Sequence, residues 1–226
     1  NYNTLTLGSS TSDLTVENAI TISQNTEGIS TGDADLILYK YLKILEEGSI
    51  TSTGGIIYLQ EGGELSGTGT GIGILDVSGS TWTLGGDFVK SSGTLTMLQT
   101  DLKLEGNSTL TSTDNLTFEN LNLNDFTLTL GSSTSDLTVQ NTITIDAITE
   151  GISTGGADLT LLASLNISNG SVTSTGGIIS LHCSDICKDL GGGQLSGAGI
   201  LNFSDSTWVL VGHFEKKSVV GSQLSG

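Results

Sequence analysis

Apolar and polar residues alternate along this chain in short bursts. Leu5-Thr6-Leu7, Leu14-Thr15-Val16, Ile20-Thr21-Ile22 and Leu36-Ile37-Leu38 are followed by residues 56–59, 82–84, 95–98, 102–104 and 116–118. Period two turns Leu, Ile and Val to one face and sends Thr to the other, the pattern of a half-buried strand. Between the bursts stand GSSTSD, STGD, STGG, SGS and EGNS, whose Gly, Ser, Asn and Asp favour tight turns. The elements expected are therefore many very short strands and no helices.

Strands this short bury little by themselves. They bury much more when each stacks on a copy of itself one coil away, which gives parallel sheets around a continuous aliphatic interior. The expected fold is all-β: a right-handed parallel β-helix, or β-solenoid. Three strands and about 20 residues per coil would make roughly eleven coils, about 50 Å long at the usual strand spacing. An immunoglobulin-type sandwich is the competing architecture. Its strands would be longer, with some Pro in the loops, and this chain has no Pro.

A second rhythm lies above the first. TLTLGSSTSDLTV occupies residues 4–16 and again 127–139; TEGISTG recurs at 26–32 and 149–155, TSTGGII at 51–57 and 173–179, and STW at 80–82 and 206–208. Two repeat units follow: residues 1–123, and a truncated second copy over 124–226, expected to form one continuous solenoid.

Composition narrows the function classes. The 226 residues include 32 Gly but only 5% aromatic residues, so the core must be aliphatic. A net charge of −17 disfavours nucleic acid, whose binding rests on Lys and Arg neutralising phosphates, and it disfavours anionic membrane surfaces too. No apolar run approaches the ~18 residues of a membrane helix, so no membrane insertion is expected. Dispersed single carboxylates fit a repetitive β surface kept soluble by like charge, with a cation-binding surface as the alternative.

GSITSTGGIIYL, LSGTGTGIGILDVSGSTWTL and SGTLTML resemble the coils of filamentous-haemagglutinin-type adhesins and other large β-helical surface proteins of bacteria. The resemblance covers the whole chain and is one of composition and rhythm. It implies display outside the cell, secreted or on the cell surface, and adhesive or scaffold duty; it brings no active-site motif with it.

Chemistry has few footholds. The run GTGTGIG at 67–73 lacks the spacing of a nucleotide loop, and no helix pattern follows to receive a phosphate. The segment His182-Cys183-Ser184-Asp185-Ile186-Cys187 is an insertion of about eight residues relative to the first copy. A local Cys183–Cys187 disulfide is the leading expectation there, with free thiols or a metal held with His182 and Asp185 as alternatives. Carboxylate pairs such as Asp33 with Asp35 or Glu46 with Glu47 are not retained in the second copy. His182 and His213 have no nucleophile in a recognisable setting. No catalytic residue, cofactor or metal is therefore expected.

The function expected is that of a structural or adhesive rod-like module. The alternatives are a polysaccharide-binding or polysaccharide-processing β-helix and an ice- or cation-binding solenoid. The partners expected are neighbouring repeats or chains stacked end to end, together with surface glycans, because neither end carries a polar capping element.

Overall fold

A computed structural model describes residues 3–23, 27–67, 71–182, 193–195, 199–211, 215–216 and 223–225. The described residues form short strands joined by turns, with no helix, and every strand pairing is parallel. The fold is the expected parallel β-solenoid. Two compact units divide at Thr113/Asp114.

In the first unit each coil contributes one strand to each of three sheets. One sheet stacks β1 (Asn3–Thr6), β4 (Glu27–Gly32), β7 (Ser49–Ser52), β10 (Ile74–Asp76) and β13 (Thr94–Thr96). A second stacks β2 (Leu14–Val16), β5 (Leu36–Leu38), β8 (Ile56–Leu59), β11 (Thr81–Leu84) and β14 (Asp101–Leu104). The third stacks β3 (Ile20–Ile22), β6 (Leu42–Ile44), β9 (Gly63–Leu65), β12 (Phe88–Lys90) and β15 (Ser108–Ser112).

The second unit repeats the scheme. It stacks β16 (Leu116–Phe118), β19 (Leu137–Val139), β22 (Leu159–Leu161), β25 (Ile178–His182) and β28 (Thr207–Val211). Beside them stand β20 (Ile143–Ile145), β23 (Leu165–Ile167), β26 (Gly193–Leu195) and β29 (Glu215–Lys216). The remaining ladder is β18 (Thr127–Leu130), β21 (Gly151–Ser153), β24 (Ser171–Ser174), β27 (Ile200–Phe203) and β30 (Gln223–Ser225), with β17 (Leu121–Asn122) between β16 and β18 in the chain.

With at most five strands in each ladder of each unit, the described residues make fewer turns than the eleven expected. Corner length accounts for the difference. Leu75 stacks on Leu95, 20 residues on, but Val172 stacks on Leu201, 29 residues on. Turns can lengthen without disturbing register, so a count based on the shortest coil overshoots. The burst at 95–98 also ends early: β13 stops at Thr96, and Leu98 lies in a turn, 70% exposed.

Alternation places the core where the pattern requires. Leu36 and Leu38 are buried on either side of half-exposed Ile37, and Leu159 and Leu161 flank Thr160 in the same way. Stacking turns these positions into columns such as Leu36, Ile57, Trp82 and Leu102, all fully buried. Each coil thus covers the apolar face of the next, and burial of this kind is worth about 25 cal/mol per Å².

Polar groups close the corners. Ser52 Oγ donates to the Gly54 carbonyl, and Ser80 Oγ lies 2.7 Å from Ser52 Oγ and 3.0 Å from the same carbonyl, its one proton shared between them. The second unit builds the same knot from Ser174, Ser206 and the Gly176 carbonyl. These hydroxyls satisfy a turn carbonyl that strand pairing leaves over.

Aspartates join coil to coil. The Asp35 amide donates to Asp13 Oδ1 at 3.1 Å, and the Ile56 amide donates to Asp35 Oδ1 at 2.8 Å. Asp136 and Asp158 receive the amides of Asp158 and Ile178 in the same way, and Asp87 receives that of Thr109. Each carboxylate thus caps the start of a strand one coil further on. Besides making the surface acidic, these residues hold the stacking register.

Candidate functional site

The outer face of the sheet containing β5, β8, β11 and β14 carries a shallow groove of about 300 Å³. Register lines up Ile37, Tyr58, Thr83 and Lys103 on successive coils. These are the outward positions of strands whose neighbouring residues point into the core. Asp35 and Ile56 lie along one side and Glu105 on the other. Tyr39, at the corner after β5, meets Tyr58 edge to face, with ring centroids 6.5 Å apart and planes at 89°. The floor is therefore apolar and aromatic, and the rim is polar.

Ion pairs hold the rim. Lys103 and Glu105 are paired at 2.5 Å, so the one cation of the groove is neutralised within it. Nearby, Lys40 pairs with Glu61 and Lys43 with Glu64, each one coil apart. Such exposed pairs add at most about 1 kcal/mol each and serve mainly to order the side chains. Partial burial raises the pKa of the Tyr58 hydroxyl, and the Glu105 carboxylate and Tyr39 push it the same way against Lys103. Tyr58 is thus a neutral hydrogen-bond donor beyond the ordinary tyrosine range. Tyr41 is raised too, first by burial and then by Glu64.

The residues singled out from sequence fall elsewhere. Cys183, Cys187, Asp185 and His213 lie outside the described residues. His182 ends β25, opposite Val211. Asp33 accepts from Thr53 Oγ1 at 3.3 Å, whereas Asp35 is occupied by the Ile56 amide, so the two carboxylates serve different coil contacts. Glu46 sits in a turn with φ of 50°. The outward Thr columns are also interrupted: Thr15 is followed by Ile37 and Tyr58, and the longest hydroxyl run in the second unit is Thr117, Thr138, Thr160 and Ser180, after which comes Val209.

One buried carboxylate was not foreseen. Glu150 is 8% exposed and accepts three amides: Asp125 at 3.3 Å, Asp146 at 2.8 Å and Ala147 at 3.2 Å. It pins a turn in which Asn124 and Asp125 both have positive φ to the coil that follows. Its role is structural. Glu150→Ala should destabilise the chain by about 2–3 kcal/mol, because three part-buried amides lose their shared acceptor. Glu150→Gln, which keeps an acceptor oxygen, should lose less. Denaturant melts read the difference, and faster hydrogen exchange at residues 125, 146 and 147 locates it.

The second sequence copy keeps the scaffold of the groove and loses its dressing. Inward Leu36, Leu38, Ile57 and Leu59 correspond to Leu159, Leu161, Ile179 and Leu181, all buried. Outward Ile37, Tyr39 and Tyr58 correspond to Thr160, Leu162 and Ser180, while Asp35 and Ile56 correspond to Asp158 and Ile178. The strands stack in the same register in both units, Ile37 on Tyr58 and Thr160 on Ser180. Comparison of the chain with protein families, curated proteins and solved structures found no match.

Proposed function

We propose that this chain is a structural and adhesive module of a secreted or surface-displayed repeat protein, resembling the filamentous-haemagglutinin type. The coil-to-coil bonding of its acidic residues carries the proposal. Asp13, Asp35, Asp87, Asp136 and Asp158 hold backbone amides of neighbouring coils, so these carboxylates serve stacking rather than catalysis. Parallel ladders with aliphatic columns supply stiffness and resistance to proteases, as a scaffold outside the cell requires.

End-to-end partners belong to the same proposal. Neighbouring repeats or chains of the same coil pattern can stack through the parallel ladders and aliphatic columns that join the coils here.

Surface labelling is the direct test. Antibodies against residues 1–226 should stain intact source cells, and beads coated with the chain should adhere to those cells several-fold better than albumin-coated beads. Staining only after permeabilisation, with adhesion at background, would overturn the proposal.

A further inference from the structure

We infer that the groove of the first unit is a binding site for a neutral polysaccharide chain; this deepens the adhesive reading and rests on it. The two sequence copies act as an internal control. Both build the same buried columns, and the second does so with Thr160, Leu162 and Ser180 outside. Stacking therefore does not require Ile37, Tyr39 and Tyr58 on the outer face. Exposing apolar and aromatic groups on a β surface favours unwanted association. Their concentration over adjacent coils calls for a purpose beyond folding.

The shape of the groove selects the ligand. It runs across coils from Ile37 to Lys103, three strand spacings or about 14 Å, and it is shallow and open. A stable protein interface buries about 800 Å² on each side around a fully desolvated apolar centre, far more than these few side chains offer. A sugar ring has an apolar CH face, which suits half-exposed Tyr58 and exposed Tyr39 beside it, and a belt of hydroxyls, which suits a rim of carboxylates and a paired ammonium. Asp35 spends Oδ1 on the Ile56 amide and keeps its other oxygen for a ligand hydroxyl. Strand spacing repeats along the groove as sugar units repeat along a chain.

Charge selects among glycans. Lys103 is already matched by Glu105, Asp35 adds a negative charge, and the chain as a whole carries −17. A uronate or sulfated polymer would meet uncompensated carboxylates, whereas a neutral polymer meets only acceptors and donors.

The experiment titrates the whole chain with cellohexaose, xylohexaose and mannohexaose, and with hexagalacturonate as the anionic comparison. Calorimetry and ligand-observed NMR provide the readouts. At least one neutral hexasaccharide should bind, and hexagalacturonate should bind more weakly. Tyr58→Ser, which installs the residue of the second copy, should reduce affinity about tenfold through loss of the stacking surface. Its circular dichroism should be unchanged and its melting close to that of the unsubstituted chain, because the second copy stacks in the same register with Ser180 at this position. Absence of binding by all three neutral sugars, preference for hexagalacturonate, or binding indifferent to Tyr58→Ser would each overturn the inference. Surface staining and bead adhesion by the unsubstituted chain read the structural role separately, so a null titration counts against the groove alone.

Discussion

Replacing Trp82 by alanine should cost about 4 kcal/mol, in the range found for removing a large aromatic side chain from a packed core. Trp82 is fully buried in the column between Ile57 and Leu102, and its ring meets Phe88 edge to face at 4.9 Å and 88°. A β-solenoid cannot close over the gap, because strand pairing above and below fixes the backbone at its ladder spacing. The cavity should therefore persist, and the melting temperature should fall by about 10 °C. Trp82→Phe should recover roughly half of the loss, since it keeps an aromatic filler. A change of less than ~1 kcal/mol on Trp82→Ala would mean that the coils relax independently.

Gly62→Ala should be nearly as damaging, at above ~3 kcal/mol, although it adds a single methyl group. Gly62 has a φ of +78°, and a Cβ there would lie 1.8 Å from the Asp87 carbonyl oxygen of the next coil. That oxygen accepts the Gly63 amide at 2.9 Å, so moving it breaks a coil-to-coil bond as well. Left-handed backbone costs an L-residue about 1–2 kcal/mol, and overpacking against a fixed backbone adds a further 1–3 kcal/mol. Gly32→Ala is the matched control. It shares a positive φ, +56°, but a Cβ there meets nothing within 4 Å. It should lose only the conformational part, about 1 kcal/mol. Equal losses in the two variants would show that conformation, and not the approach of the coils, sets the cost.

These residues separate what could be read along the chain from what could not. Period-two bursts with turns between them lead directly to short strands, and their brevity leads to parallel stacking, since nothing else would cover their apolar faces. Leu14, Leu36, Leu137 and Leu159 stand where alternation puts them, each after an aspartate. That recurring Asp-Leu pair was visible in the sequence. Its meaning was not, because the amide that each carboxylate holds lies about one coil away and comes into reach only when the coils stack in register.

Register was likewise a tertiary decision at Phe88-Val89-Lys90. Alternation alone allows Val89 to point inward and Lys90 outward. The ladder pairs Phe88 with Gly63 and Leu110, and Lys90 with Leu65 and Ser112, so Phe88 and Lys90 face the interior. Gly63 has no side chain in the column directly beside Phe88, and that space lets the ring reach Trp82. Lys90, 2% exposed, places its ammonium 3.3 Å from Thr113 Oγ1. The groove has the same origin: its residues run from Asp35 to Glu105, and only stacking brings them to one face. The strands, their apolar faces and the solenoid class were legible along the chain, because these follow from local alternation and the need to cover it. Tertiary structure decided the number of turns, the inward lysine, the aspartate caps and the groove, because each depends on which residue lies one coil away, and corner lengths that local pattern leaves free determine that.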